Sequence, residues 1–325
     1  MTTVGIVKDW DWPDLLRQTP GGKGVWEGVR FIMDPEPTCD FLVVLNNKMK
    51  TETKARCPGE NVWCLMQEPY MKGHTDWMLE KLGRFSRVLT HHPPSSQSKF
   101  TVSQPAIPWH VNKTFDQLIS LKIPSKPKAL SWVVGNARDL PGHRKRWALL
   151  DYIQQDGSLD IDLFGRAVQF IEDKWDGLAP YRYSLAIENS SSPDYWTEKI
   201  ADCFLSWSVP IYYGCTNLED YFPKGSFIRI NIDSPREAFE SVKTVLSRDN
   251  WENRLPALME ARDLVLNRYQ LFPHLFRLIE AQTEKGLKSV DVVISAYRRS
   301  KKASLYHLQY KLLKLMKFPF QDNGK

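Results

Sequence analysis

Residues 181–214 read YRYSLAIENSSSPDYWTEKIADCFLSWSVPIYYG. Residues 184–187 form a short apolar run of the kind that makes a strand covered on both faces, and the run ends in Glu188–Asn189. Three serines follow. Ser192 suits a helix N-cap and Pro193 the first helical position, so the spacing predicts a helix over 194–207 with Tyr195, Glu198 and Lys199 in its first two turns. A strand, a polar loop and a helix N-terminus in that order can bind phosphate, because free backbone N–H groups and the positive end of the helix dipole face the anion. Lys199 adds a full positive charge. Glu198 can accept from a diol, and Asn189 can both donate and accept. The plain structural alternative is a capped helix with a solvated Glu-Lys face, which any α/β protein can contain.

Working outward, similar apolar runs are expected as strands at 3–7, 41–45, 62–66, 87–90, 130–134, 161–164, 210–213 and 227–230. Helical patterns lie between several of them, at 144–155, 235–247 and 250–268. Strands alternating with helices predict α/β layers with parallel sheets. The stretch 105–128 contains Pro105, Pro108, Pro124 and Pro127 and separates two strand–helix sets. An N-terminal domain over 1–120 and a second domain over 121–296 are therefore expected, with a cleft between them as the default ligand site.

The length of 325 residues suits two domains, and 42% hydrophobic with 25% charged residues is an ordinary globular composition. The net charge of +6 is uneven. Residues 297–325 hold eight basic residues and one acid, so the remaining chain sums to about −1. A nucleic-acid-binding body would carry its own basic face, and this one is near neutral. Five cysteines without a CxxC pair argue against a zinc site or a disulfide framework and for a reducing, cytoplasmic compartment. Neither a signal peptide nor a spanning run of 18 apolar residues is read from the sequence.

The pattern Y-[RK]-[YF]-x-L-x-x-E-N, then P-D-Y-x-T-E-K, then V-P-I-x-x-G resembles the signature of glycosyltransferase family 10, the α-1,3/1,4-fucosyltransferases. It falls here on Tyr181–Tyr183, Leu185, Glu188, Asn189, Pro193–Tyr195, Thr197–Lys199, Val209–Ile211 and Gly214. The resemblance is strong over 129–235 and faint before it. It implies a GT-B fold of two Rossmann-like domains facing across a cleft. It also implies GDP-fucose as donor, a glycan acceptor and inversion at the anomeric carbon. Asn189, Tyr195, Glu198, Lys199 and the neighbouring Glu188 become donor-site residues. No cofactor is required by these residues, and Mg²⁺ or Mn²⁺ would at most assist the diphosphate. Another nucleotide sugar, or an inactive carbohydrate-binding relative, is the alternative.

Two further positions follow from the resemblance. The family has a strand, an S-N loop and an Arg that opens a helix and grips the diphosphate. In SWVVGNARDLPGHRKR (131–146) the matching residues are Asn136 and Arg144, with Arg146 and Arg138 as fallbacks, and Gly135 replaces the usual Ser. A guanidinium suits that task because it holds phosphate oxygens in pairs. Glu68, just past the strand in VWCLMQEPY (62–70), matches the family's general base, which an acceptor hydroxyl needs before it can attack.

Other features read as structural or secondary. Asp160-Ile161-Asp162 resembles a metal-binding DxD but opens a strand. Arg166 follows that strand toward the cleft side. His91-His92 and Asp9-Trp10-Asp11-Trp12 follow strands, and the tryptophans suit sugar stacking as well as a core. Residues 301–318 place leucines and lysines at helical spacing. This basic amphipathic segment would lie on an anionic membrane surface at its inner face, or pack back on the body.

Overall fold

The computed structural model describes residues 1–34, 36–166, 168–282 and 287–298. The strands in chain order are β1 (Thr3–Val7), β2 (Val25–Trp26), β3 (Val29–Ile32), β4 (Phe41–Leu45), β5 (Thr53–Pro58), β6 (Val62–Leu65), β7 (Arg87–Thr90) and β8 (Phe100–Val102). They continue as β9 (Lys128–Val133), β10 (Asp162–Phe164), β11 (Tyr181–Ile187), β12 (Val209–Tyr213), β13 (Ile228–Arg229) and β14 (Ser289–Ile294). The α-helices are α1 (Phe115–Ser120), α2 (Pro141–Asp156), α3 (Glu198–Leu205), α4 (Pro235–Arg248), α5 (Trp251–Leu264) and α6 (Leu271–Glu280).

Two compact units result. The smaller comprises the described parts of Thr2–Trp10, Ile32–Ser103 and Lys285–Lys325. Its parallel strands run in the order β1-β4-β6-β7-β8. β4 and β6 are buried along their whole length, as their unbroken apolar runs require. β14 pairs antiparallel with β5, from Ser289 opposite Pro58 to Ile294 opposite Thr53.

The larger unit comprises the described parts of Asp11–Phe31 and Gln104–Glu284. Its sheet is wholly parallel, in the order β10-β9-β11-β12-β13. Numbered within this sheet the order is 2-1-3-4-5, a doubly wound order whose direction reverses between β9 and β11. Helix α2 connects β9 to β10 and α3 connects β11 to β12. Pro141 occupies the first turn of α2, and Thr197 caps α3 by accepting from the Lys199 amide. Gly157 ends α2 in a left-handed conformation at φ 67°.

The division differs from the expected boundary near residue 120. Residues 11–31 and 104–120 belong with the larger unit. Arg17 donates to Asn112 Oδ1 and to the carbonyls of Trp109 and Val111, Gln270 donates to the Gln18 carbonyl, and Phe31 packs edge-on against Phe272 at 4.9 Å. Residues 289–294, which the expected bounds put in the second domain, form β14 and pair in the smaller unit instead. The basic segment 297–325 lies outside the described residues from 299 onward.

Candidate functional site

In a doubly wound sheet the carboxyl ends of the strands flanking the reversal leave a crevice, because their connections depart to opposite sides. A cavity of about 550 Å³ opens there, wholly within the larger unit. That is within the ordinary range for a small-molecule site. Val134–Ala137 line it past β9, Ile187 and Asn189 past β11, and Glu198, Lys199 and Asp202 from α3. Two glycines permit the close approaches that shape it. A Cβ on Gly142 would lie 1.9 Å from the Asn189 carbonyl oxygen, where α2 presses on the loop after β11. Gly165, at φ +127°, would place one 2.0 Å from the Val134 carbonyl oxygen.

Helix α3 starts later than expected. Ser192 does not cap it, because Asp194 turns left-handed at φ 58°. Asp194 is tied to the loop after β12: its amide donates to Asn217 Oδ1 at 2.8 Å, and its carboxylate accepts from Asn217 at 2.9 Å and Tyr221 at 2.7 Å. The helix then opens at Glu198, which brings Glu198 and Lys199 to its N-terminus. Glu188, fully buried at the end of β11, fixes that start. Its Oε1 accepts from the amide and hydroxyl of Thr197 at 2.8 and 2.9 Å, and its Oε2 pairs with Lys199 Nζ at 3.2 Å.

A charged network lines the cavity. Lys174 Nζ lies 3.5 Å from Glu198 Oε1 and 3.3 Å from Asp202 Oδ2, and Lys199 Nζ lies 3.4 Å from Glu198 Oε1. Burial works against the Glu198 carboxylate, but Lys199 and Lys174 outweigh it and hold its pKa well below the usual range. Burial also opposes the Lys199 charge, and Glu188 with Glu198 more than offsets it, raising its pKa. Burial lifts Asp202 to about 6, against the pull of Lys174. His110 is pushed down to about 3, first by burial and then by the Lys174 charge, so it is neutral at pH 7 and its 3.7 Å approach to Glu198 is not an ion pair.

The structure places the expected residues unevenly. Asn136, Asn189, Glu198 and Lys199 line the cavity. Arg144 does not: it is exposed on the second turn of α2 and donates to the Asp139 carbonyl at 3.4 Å. The arginine that lines the cavity is Arg146, 4% exposed, two positions on and so on another face of the helix. It donates to Asn189 Oδ1 at 3.0 Å and to the carbonyls of Gly135 and Ala137 at 3.1 Å, and its Nε has no partner among the described residues. Arg138 lies over the Trp147 ring instead. Glu188 and Tyr195 are buried and are not among the described lining residues: Glu188 holds the helix start rather than facing the space. Glu68 belongs to the smaller unit, exposed just past β6.

The secondary features also separate. Arg166 and Trp12 line the cavity, and Trp12 rests 4.8 Å from His110. Asp162 of the DxD-like run accepts from Lys128 at 2.7 Å and from the Tyr181 hydroxyl at 2.6 Å, a structural role. His91 Nε2 accepts from the Tyr70 amide, and His92 stacks on the Tyr70 ring. Among the described residues no group of three or more His, Cys, Asp or Glu could hold a metal ion. Lys174, His110 and Asp202 carried no expectation. Asp202 had a readable signal, lying four residues after Glu198 and thus on the same helix face. Lys174 and His110 come from irregular segments with no such periodicity.

The cavity's elements coincide with a sequence match. Residues 123–252 match the model described as glycosyltransferase family 10 (fucosyltransferase), C-terminal region. This segment is similar to a family 10 glycosyltransferase domain. Among curated proteins, the chain is 34% identical over 143 residues to 4-galactosyl-N-acetylglucosaminide 3-alpha-L-fucosyltransferase 9 of Mus musculus, covering 40% of this chain and 38% of that protein. It is 27% identical over 214 residues to 3-galactosyl-N-acetylglucosaminide 4-alpha-L-fucosyltransferase FUT3 of Homo sapiens, covering 62% of this chain and 56% of that one. The chain thus matches well under two thirds of either relative's length. A solved α1,3-fucosyltransferase with GDP-fucose superposes over 95% of this chain and 90% of its own, with 14% identity and a TM-score of 0.48. The matched segment contains β9 to β13 with α2 to α4, and so most of the cavity wall.

Proposed function

We propose that this protein is an inverting fucosyltransferase that moves fucose from GDP-fucose to a hydroxyl of a glycan acceptor, forming an α-1,3 linkage. The observation that carries the reading is the meeting of Arg146, Lys199 and the N-terminus of α3 at one cavity inside the family 10 domain. A diphosphate leaving group gains negative charge as its bond to the sugar breaks. Two fixed cations and a helix dipole stabilise that charge with no rearrangement at the moment of reaction. In this reading Glu198 and Asn189 receive the ribose and its neighbours, and Arg146 takes the role that the motif resemblance implied for Arg144. Glu68 removes the acceptor proton. The acceptor oxygen then bonds to the anomeric carbon on the face opposite GDP, the bond from that carbon to the diphosphate breaks, and GDP leaves.

The residues named for ribose and diphosphate suit any nucleotide sugar, so fucose rests on the family match and on what the relatives' names say of those proteins. Incubation with a panel of nucleotide sugars and mixed β-galactoside acceptors, read by release of nucleoside diphosphate and by mass of the product, tests this. Turnover confined to GDP-fucose is expected. Turnover of another donor alone would overturn the fucosyl assignment, and turnover of none would favour an inactive carbohydrate-binding relative. The segment 297–325 is proposed to hold the enzyme at an anionic membrane surface. Among the described residues no helix is long and apolar enough to cross one.

A further inference from the structure

The contacts of Glu198 with basic groups are one-sided. Lys174 and Lys199 hydrogen-bond to it at 3.5 and 3.4 Å, and His110 Nδ1 approaches to 3.7 Å, and all three meet the same oxygen, Oε1. A carboxylate left to itself in a polar cavity spins about its last bond and presents either oxygen. Here one oxygen is loaded with basic groups, the Thr197 side chain also hydrogen-bonds to the carboxylate, and the Glu198 side chain lines the cavity with 12% of its exposure kept.

Lys174 is in turn held in place. Asp202, 1% exposed, spends Oδ1 on the amides of His110 and Val111 at 2.8 and 3.3 Å and Oδ2 on Lys174 at 3.3 Å. Asp202 and Glu198 lie one helical turn apart on α3, so Lys174 bridges two carboxylates on a single rigid face. The residue comes from outside the strand–loop–helix motif, on the short turn Lys174–Gly177 before β11. Its side chain also lines the cavity, but its ammonium is occupied by the two carboxylates and is poorly placed to be the main grip on a phosphate.

We infer that Lys174 is a positioning residue: braced by Asp202, it clamps Glu198 through Oε1 so that Oε2 is offered to the vicinal diol of a nucleotide's ribose. This rests on the reading of the cavity as a nucleoside diphosphate site. A hydrogen bond from a diol to a held carboxylate is strong because the acceptor is charged and already oriented. The clamp thus makes diol recognition, and not general affinity, the quantity that depends on Lys174. A merely structural lysine would affect all nucleotides alike.

The test compares GDP with 2′,3′-dideoxy-GDP by calorimetric titration of the full chain and of Lys174→Met and Lys174→Arg, with thermal unfolding run in parallel. The full chain is expected to prefer GDP by about tenfold or more, the scale of a hydrogen bond to a charged group. Lys174→Met is expected to bring that ratio to within about twofold while leaving affinity for the dideoxy compound nearly unchanged, and Lys174→Arg to restore most of the ratio. Should Lys174→Met not fold, Lys174→Gln carries the same comparison and the same expected loss, since a neutral amide cannot balance both carboxylates. A ratio that survives in the neutral variant, or equal weakening of both ligands, overturns the inference. So does a full chain that binds both nucleotides equally. Failure of the full chain to bind either one would instead overturn the reading of the cavity.

Discussion

Arg144 and Arg146 differ by two positions on one helix, which separates their side chains by roughly 200° around its axis. The motif resemblance pointed to the first because it opens the helical pattern expected at 144–155. The fold brings the second to the cavity, and nothing local in HRKR indicates which face of α2 will press against the loop after β11. Arg146→Ala is expected to weaken GDP binding by about tenfold or more, since it removes charge-assisted donors from a buried position. Arg144→Ala is expected to stay within about twofold, as exposed charges contribute little. Equal effects in the two variants would contradict the placement. Asp202 offers a pH test. Its pKa is raised to about 6 from an ordinary 3.8, mainly by burial, so the folded state prefers its proton. The associated stability is present below about pH 4 and is lost as the pH rises through 6. Denaturant titrations from pH 4 to 7 should show the native chain losing on the order of 2 kcal/mol relative to Asp202→Asn. A constant difference across that range would argue against the shift.

At the scale of elements, the strands were the most legible part. Unbroken apolar runs such as FLVVL at 41–45 and VWCL at 62–65 can only be covered on both faces, and they became β4 and β6. Elements whose reason lies far along the chain were not legible. Helix α3 begins at Glu198 because Asp194 is tied to Asn217 and Tyr221, more than 20 residues away. Helix α6 contains Pro273, which reads as a breaker but is harmless in the first turn, where its missing N–H had no partner to lose. β5 and β14 find each other across more than 200 residues. The start of α3 can be tested directly. Thr197→Ala removes the cap and the hydroxyl held by Glu188, and should lower stability by about 1–2 kcal/mol in urea and weaken GDP binding as well. Gly142→Ala forces a methyl group onto the Asn189 carbonyl. It should cost about 1–3 kcal/mol by the same measurement, the scale of overpacking. A neutral result in either would show that these close contacts do not shape the site.

For the whole molecule, the proposed site residues divide between the two α/β units. The cavity with its charge network lies in the larger unit, and Glu68 lies in the smaller. That division was legible from the strand–helix alternation, whereas the return of residues 11–31 to the larger unit was not, since it depends on Arg17 meeting the 109–112 turn. If Glu68 is the general base, Glu68→Ala should cut turnover by about 10²–10⁴-fold while GDP affinity stays within about twofold. Loss of GDP binding with turnover, or no loss of turnover, would remove Glu68 from that role. The central claim is that the cavity of the larger unit holds a nucleoside diphosphate against Lys199 and Arg146. Calorimetric titration of GDP into the full chain and into Lys199→Ala tests it most directly. One GDP per chain is predicted, with affinity at least about tenfold lower in Lys199→Ala. No binding to the full chain, or the same affinity in both proteins, would contradict it.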